Sequence, residues 1–266
     1  MIEPVVIAPL RREWEAARQD ALAALNGEGK HARLSANGRQ DAFRRRVQAF
    51  QDRLAGVRVL DPACGSGNFL YVTLSALMDL EEEVLAFGAL HGLPQGLPLV
   101  GPEQVLGLEI NPYARELAQV VVWIGFLQWR LDNGFGWSEP VLAPLETIWL
   151  QDALLTRDAA GAATEAEWPA AEFIVGNPPF LGGKRLRAEL GDDYVDDLFA
   201  VYTGDVARES DLACYFFEKA RQRIAAGAAK RAGLLATNSI RGGANREVLR
   251  RIKESGDIFM AWSDEP

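Results

Sequence analysis

Four polar side chains stand where an apolar run of the chain gives way to a turn. Asp61 ends "VRVLD", and Glu109 ends "VLGLE". Asp152 follows "IWLQ", and Asn177 follows "EFIVG". In an open parallel sheet, ligands bind beyond the carboxyl ends of the strands, near the point where the strand order reverses. If the apolar runs are strands of one such sheet, these side chains form one site.

The first of these runs leads into a glycine turn, "DPACGSGNF", at residues 61–69. A phosphate-binding P-loop needs the pattern GxxxxGK[ST], and "CGSGNFLY" has no such lysine. The dinucleotide fingerprint GxGxxG matches Gly65 and Gly67, but Leu70 stands at its third glycine. A carboxylate at Asp61 would repel a pyrophosphate, whereas it suits the cationic methionyl part of S-adenosylmethionine. The turn therefore predicts a site for S-adenosylmethionine.

Hydrophobic periodicity indicates the elements that must position this site. Strands are predicted at residues 57–61, 105–110, 146–154, 172–180 and 232–240, and a sixth is predicted to begin within 256–263. Long helices are predicted at residues 68–87, 111–131 and 211–225. Residues 1–55 are charged, rich in alanine and helical in their spacing. The alternation predicts an α/β fold with a mostly parallel sheet, helices on both faces and an N-terminal helical segment.

Composition excludes several other classes of protein. With 266 residues and 48% hydrophobic content, the chain can bury one substantial core. Its apolar runs are too short and interrupted for a membrane span, and the N-terminus lacks a signal pattern. We therefore expect a cytoplasmic protein without membrane contact. Two cysteines, Cys64 and Cys214, and two histidines predict neither a disulfide framework nor a metal site.

Two motifs together resemble a known family. "DPACGSGNF" followed by "NPPF" at 177–180 resembles the DNA amino-methyltransferases of the adenine-N6 type, in which the cofactor motif precedes the catalytic motif. A narrower resemblance, to the MmeI-like type IIL restriction-modification enzymes, is carried by "NPPFLGGKRLRAELGDDYVDDLF", "SDLACYFFEKA", "GLLATNSIRGGANRE" and "AWSDEP". The implied fold is a Rossmann-like S-adenosylmethionine-dependent methyltransferase.

The type IIL resemblance also implies a domain organisation. In those enzymes, one polypeptide carries a nuclease, a helical spacer, a methyltransferase and a target-recognition domain. Residues 1–55 would then be the helical spacer, and residues 56–266 the methyltransferase domain. Neither the nuclease nor the target-recognition domain is present in this sequence, and we expect both on the full-length polypeptide.

The resemblance assigns roles at the cofactor. Asp61 would orient the turn and the methionyl ammonium, and Glu109 would accept hydrogen bonds from the ribose hydroxyls. Asp152 resembles the residue that accepts from the cofactor's adenine amine. The full set of expected cofactor residues is Asp61, Ala63, Gly65, Gly67, Phe69, Glu109, Ile110, Asp152 and Leu154. Two alternatives stay open, because Glu109 could cap the following helix and Asp152 could be an ordinary acid at a strand end.

The "NPPF" motif matches the needs of a flipped adenine. The amide oxygen of Asn177 and the carbonyl of Pro178 can accept the two amine hydrogens, drawing the nitrogen lone pair toward the methyl group. Pro178 and Pro179 fix two φ angles, and Phe180 offers a stacking face. No nucleophile is required, so Cys64 and Cys214 are interpreted as packing residues.

The expected partner is double-stranded DNA with its target base flipped out. A net charge of −9 indicates that the residues that bind DNA phosphates form a local patch or lie in another domain. The predicted contacts are the basic residues Lys184, Arg185, Arg187 and Arg241, with Arg246 as a further candidate. A solvated basic loop is the alternative at these positions.

Two other functions fit the same residues. An NPP motif can hold another planar amine, such as cytosine N4, an RNA base or a protein glutamine. Alternatively, the chain could be a non-catalytic module that binds cofactor or DNA in a phage-defence system. The aromatic residue of "NPPF" favours DNA adenine, since glutamine-directed relatives usually resemble "NPPY".

Overall fold

A five-stranded parallel sheet forms the centre of the protein, as described by a computed structural model for residues 1–135 and 145–262. Its strands are β1 (Val59–Asp61), β2 (Val105–Glu109), β3 (Ile148–Leu150), β6 (Phe173–Gly176) and β7 (Arg231–Leu234). They lie in the order β3-β2-β1-β6-β7. The order reverses between β1 and β6, which is where such sheets bind ligands. A separate antiparallel hairpin consists of β4 (Leu155–Arg157) and β5 (Ala163–Glu165).

Eight α-helices accompany the sheet within the described residues. They are α1 (Ala8–Asn26), α2 (Ala36–Ala55), α3 (Asn68–Leu90), α4 (Pro112–Asp132), α5 (Leu186–Leu190), α6 (Asp192–Val201), α7 (Ala213–Ala225) and α8 (Arg246–Ser255). A π-helical turn, Glu3–Ile7, leads directly into α1. None of these helices is both long and apolar enough to cross a membrane.

Alternate strand residues feed two separate hydrophobic clusters, because side chains of a strand point to opposite faces. Val59, Val105 and Phe173 belong to the first cluster, which includes residues of α1, α2, α3 and α4. Leu60 and Ile174 belong to the second, which includes residues of α6 and α7. Both faces of the sheet are therefore covered, as the near-continuous apolar runs of the strands require.

The N-terminal helices are built into the first cluster. Trp14 of α1 is 1% exposed and packs against Phe50 of α2 and Phe87 of α3, with ring centroids 5.0 and 5.3 Å away. Its indole N–H donates to Glu83 of α3 at 3.0 Å. Residues 1–55 thus share one core with the sheet. The division of the chain at residue 56 stays a prediction.

The predicted fold class is confirmed, since the sheet is parallel and carries helices on both faces after an N-terminal helical segment. The five predicted strands are present but shorter than expected. The sixth was wrong for residues 256–262, which form no strand, and Ser263 lies outside the described residues. The end of "AWSDEP", residues 263–266, also lies outside them. The β4–β5 hairpin was not predicted, because its strands, "LTR" and "ATE", contain no apolar run.

Replacing Trp14 with alanine tests whether the N-terminal helices stabilise the whole domain. We expect Trp14→Ala to lower the free energy of unfolding by about 3–5 kcal/mol, because removing the indole leaves a cavity inside the shared core. Leu90→Ala is the control, since Leu90 is 82% exposed, and should change it by about 0.5 kcal/mol or less. Urea unfolding of both variants is the measurement. Loss of α1 alone, with the remaining transition unchanged, would show that the helices fold separately.

Candidate active site

Asp61 and Asn177 lie at the ends of two neighbouring strands, where the strand order reverses. Asp61 ends β1, and Gly176, the last residue of the neighbouring β6, directly precedes Asn177. A Cβ atom on Gly176 would lie 2.7 Å from Oδ1 of Asp61. Only glycine therefore lets the two strand ends approach this closely, and the approach places the "NPPF" motif beside the first carboxylate.

The glycine turn between β1 and α3 has a left-handed backbone at Gly65 (φ 53°) and Gly67 (φ 84°). Glycine adopts this conformation without the strain that a Cβ imposes. At Gly67 a Cβ would also lie 3.0 Å from the backbone of Ala118 in α4. The turn is fixed to β2 by a hydrogen bond from the amide of Cys64 to the carbonyl of Leu108, 3.0 Å long. Its backbone is thus held from two sides.

Glu109 reaches across to the same turn. One of its carboxylate oxygens accepts from the amide of Gly65 at 2.8 Å, and the other accepts from the amide of Asn111 at 2.7 Å. Each oxygen keeps a second lone pair for another donor. The helix α4 is capped by Asn111, whose side chain accepts from the amides of Tyr113 and Ala114. The alternative that Glu109 caps this helix is therefore wrong.

Asp61 is a buried carboxylate with one unpaired oxygen. Its side chain is 1% exposed, Oδ1 accepts from the amide of Ala63 at 3.0 Å, and Oδ2 has no hydrogen-bond partner among the described residues. Burial, and secondarily the negative charge of Glu109, raise the pKa of Asp61 to about 7, against the hydrogen bond from Ala63. A buried carboxylate that lacks a donor is costly, and a cationic ligand would supply one.

Asp152 lies just beyond β3 and is held from two sides. Oδ1 accepts from the amide of Leu154 at 2.8 Å, and Oδ2 accepts from the hydroxyl of Tyr194 in α6 at 2.7 Å. Burial and the adjacent carboxylate raise the pKa of Tyr194, so its hydroxyl remains a donor. The link to Tyr194 was not predicted, because 42 residues separate the two positions and no local pattern connects them.

The other predicted site residues differ in exposure. Asn177 is exposed, and its side chain forms no hydrogen bond with another described residue. Ile110 is 67% exposed and Phe180 is 48% exposed, so both offer apolar surface at the sheet edge. Leu154 is buried in the second hydrophobic cluster, against which Ala63 packs. Phe69 packs against the first cluster. Pro178 is buried, whereas Pro179 is exposed.

The predicted basic contacts divide into two groups. Arg185 pairs with Glu189 at 2.6 Å, and Arg187 pairs with Asp192 at 3.0 Å and Asp196 at 2.6 Å. Lys184, Arg241 and Arg246 form no ion pair with any other residue in the described ranges 1–135 and 145–262. The unpaired cations are the ones whose charge is available to a phosphate.

The predicted cysteine roles agree with the structure. Cys64 and Cys214 are both free and buried. Burial raises the pKa of both thiols, that of Cys214 to about 12. Both side chains therefore stay protonated at neutral pH, as expected of packing residues and not of nucleophiles.

The parallel sheet, the glycine turn after β1 and the carboxylates at successive strand ends define a Rossmann-like fold of the methyltransferase kind. A profile of the family described as "MmeI, DNA-methyltransferase domain" matches residues 35–263. The chain belongs to this family, as its motifs predicted.

Similarity to individual proteins agrees with this assignment. The chain is 27% identical over 201 residues to DNA methyltransferase A of Bacillus subtilis (strain 168), covering 74% of this chain and 22% of that protein. It thus spans about a fifth of the relative's length. The structure of the type IIL restriction-modification enzyme MmeI in complex with DNA is similar in fold, with a TM-score of 0.68 and 24% identity over 96% of this chain and 31% of that one.

Replacing Asp61 with asparagine tests the burial of its charge. The pKa of Asp61 is raised from 3.8 to about 7 in the folded protein, so its contribution to stability falls as the pH rises through that range. We expect the stability of Asp61→Asn relative to the parent to rise between about pH 4 and pH 7, by about 1.4 kcal/mol per pH unit, and to level off above pH 7. Urea unfolding at several pH values measures this difference. A difference independent of pH would contradict the raised pKa.

Proposed function

We propose that this chain is the methyltransferase part of a restriction-modification enzyme and that it methylates the exocyclic N6 of a flipped adenine in double-stranded DNA. The observation that carries the proposal is that Asp61 and Asn177 lie at the ends of the neighbouring strands β1 and β6. Among the described residues, one oxygen of the buried Asp61 carboxylate and the exposed side-chain amide of Asn177 have no hydrogen-bond partner. A cation and an amine fit these two groups side by side.

The residues at β1, β2 and β3 fit S-adenosylmethionine. When bound, this cofactor supplies an electrophilic methyl group on a sulfonium. The orphaned oxygen of Asp61 would accept from the methionyl ammonium, whose positive charge also offsets the cost of ionising a buried acid. Glu109 would use its remaining lone pairs for the ribose hydroxyls, and Asp152 would accept from the adenine amine. Ile110 would lie against the adenine ring, since its side chain is exposed at this edge.

Asn177 and Pro178 would handle the target amine. The side-chain oxygen of Asn177 and the backbone carbonyl of Pro178 accept its two hydrogens, which holds the nitrogen lone pair toward the methyl donor. The φ angles of Pro178 and Pro179 are fixed by their rings, so little conformational entropy is lost when the amine binds. Proximity and orientation of this kind are a major source of rate enhancement in group transfer.

Phe180 would stack on the base after it leaves the duplex. Extracting a base costs a few kcal/mol, and stacking on an aromatic ring returns about 1–3 kcal/mol. Phe180 is 48% exposed and directly follows the amine acceptors, so its ring is available for such a contact. Cytosine N4 would need the same acceptors, and the product analysis below distinguishes the two bases.

The relatives support a DNA partner and a longer polypeptide. The related enzyme MmeI is described in complex with DNA, and this chain covers 31% of it. We infer a full-length polypeptide that also carries nuclease and target-recognition domains and works in the cytoplasm. A net charge of −9 agrees with a DNA grip that lies partly outside residues 1–266.

Asn177→Ala tests the catalytic assignment. We expect N6-methyladenine to disappear from the DNA of methylase-deficient cells that express the full-length gene, because one of the two amine acceptors is lost. Binding of S-adenosylmethionine should persist, since Asp61 and Glu109 are unchanged. Asn26→Ala is the control, because Asn26 is exposed at the end of α1 and its side-chain amide donates to Glu28 at 3.0 Å.

Nucleoside mass spectrometry gives the product, and calorimetric titration gives cofactor affinity. N4-methylcytosine that disappears in Asn177→Ala would keep the mechanism and change the base. A soluble parent protein that binds S-adenosylmethionine but leaves no methylated base would overturn DNA methylation in favour of a protein or RNA substrate. Failure of the parent to bind S-adenosylmethionine would overturn the cofactor assignment.

Removing the unpaired cations tests the DNA contacts. We expect the double variant Lys184→Ala/Arg241→Ala to reduce the slope of log K against log salt by about two, since each phosphate contact contributes about one. Arg187→Ala should change the slope less, because its charge is already held by Asp192 and Asp196. Fluorescence anisotropy with a labelled duplex at several salt concentrations measures both. Equal slopes for the parent and the double variant would contradict the proposed contacts.

A further inference from the structure

A cavity of about 10 Å³, the size of one water molecule, lies beside Phe180 between two loops that are distant in sequence. Its lining includes Phe180 from the segment after β6 and Thr237, Ser239 and Ile240 from the segment after β7. We call residues 177–183 the catalytic loop and residues 237–245 the opposite loop. The catalytic loop carries the proposed amine acceptors, so the opposite loop lies next to the ring on which a flipped base would stack.

One carboxylate joins the two loops. Oδ1 of Asp211 accepts from the amide of Gly183 in the catalytic loop, at 3.3 Å. Oδ2 accepts from the hydroxyl of Ser239 at 2.5 Å and from the side-chain amide of Asn245 at 2.9 Å, both in the opposite loop. The two oxygens of Asp211 therefore face different loops, and each is satisfied by one of them.

Further hydrogen bonds fix Asn245. Its side-chain oxygen accepts from the backbone amide of Asp211 at 2.8 Å, and its side-chain nitrogen donates to the carbonyl of Ser239 at 3.1 Å. Asn245 is 7% exposed. Buried polar groups joined in this way are rigid, because breaking one bond leaves another group without a partner. The opposite loop is thus held in one conformation relative to Asp211.

The catalytic loop is also held by the segment that precedes α7. The carbonyl of Leu181 accepts from the amide of Leu212 at 2.8 Å. A Cβ atom on Gly183 would collide with the backbone carbonyl of Glu209, so only glycine fits there. The catalytic loop therefore lies directly on the segment that carries Asp211, and a change at Asp211 is transmitted to both walls of the cavity.

We propose that Asp211 is a positioning residue that fixes the opposite loop beside the catalytic loop, so that Ile240 forms a second apolar wall for the flipped base. This inference rests on the proposed function. Asp211 does not touch the amine, and it acts by holding Phe180 and Ile240 at a set separation. The catalytic loop alone offers a flipped base one apolar face, whereas the two joined loops offer it two.

Asp211→Asn separates the two halves of this link. An asparagine oxygen can still accept from Gly183, but its NH₂ group then faces the NH₂ group of Asn245, which can only donate, and the Ser239 hydroxyl must turn from donor to acceptor. Ser239→Ala removes one of these bonds from the other side and leaves Asp211 intact. Ile240→Ala removes the proposed wall without touching the link. Asp205→Asn is the matched control, since Asp205 pairs with Arg251 and does not line the cavity.

The experiment uses the full-length enzyme with two duplexes. One carries adenine at the position that the methylation analysis identifies and gives kcat; the other carries 2-aminopurine there, which lacks the 6-amino group, and reports base flipping by fluorescence. We expect Asp211→Asn, Ser239→Ala and Ile240→Ala to lower kcat and the 2-aminopurine fluorescence increase by about tenfold. Affinity for S-adenosylhomocysteine should stay within about twofold of the parent, because the carboxylates of the cofactor site are unchanged. Asp205→Asn should leave both the fluorescence increase and kcat at the parent value.

The outcomes separate this inference from the proposed function. Parent enzyme that gives no fluorescence increase and no methylated adenine would overturn the proposed function itself. Parent enzyme that flips the base, with a fluorescence increase unchanged in folded Asp211→Asn and Ser239→Ala, would overturn only the role of Asp211. If Asp211→Asn fails to fold, Ser239→Ala and Ile240→Ala decide the question. A smaller fluorescence increase in Ser239→Ala, with no change in Ile240→Ala, would support the positioning role of Asp211. It would contradict the assignment of Ile240 as the second wall.

Discussion

The contact between Asp61 and Gly176 is the constraint on which the site depends. Asp61, at the end of β1, is 1% exposed. Its carboxylate occupies the space that a Cβ atom at position 176 of β6 would need. This contact fixes the distance between the acid and the "NPPF" motif. It also leaves Asp61 desolvated, with a pKa raised to about 7 and one oxygen without a donor. Stability is lost at this point, as is common where a binding site is preorganised.

The segment between β6 and β7 connects the amine acceptors to the predicted cofactor residues. Tyr194 in α6 donates to Asp152, and Arg157 of β4 pairs with Asp197 of α6 at 2.7 Å. Asp211, which follows α6, holds Gly183. The helices that follow the catalytic loop therefore pack against the loop that would hold the cofactor's adenine. The residues proposed to hold the cofactor and the substrate amine are therefore positioned by one continuous part of the protein.

The ion pairs of the predicted basic residues indicate which of them have a charge available to bind phosphate. The total of −9 opposes DNA binding, and two of the predicted basic residues, Arg185 and Arg187, are already paired with acids of α5 and α6. Lys184 and Arg241 remain available, one beside each wall of the cavity next to Phe180.

The sequence by itself determined the fold class, the strand ends and the family, because these depend on local patterns. Apolar runs predicted the five strands, and the glycine turn and "NPPF" motif predicted where Asp61 and Asn177 would lie. The same patterns misplaced the sixth strand, since an apolar run at residues 256–262 does not ensure a pairing partner. The strands β4 and β5 are no shorter than β1 and β3, but they contain no apolar run that would indicate them.

Tertiary structure alone decided which polar groups became partners. Asp211 and Asn245 are 34 residues apart, and Asp152 and Tyr194 are 42 apart, so no periodicity relates them. The burial of Asp61, the free state of Asn177 and the pairing of Arg187 likewise depend on what the rest of the chain brings nearby. Hydrogen bonds and desolvation act over a few ångströms in space, whereas sequence patterns describe neighbours along the chain.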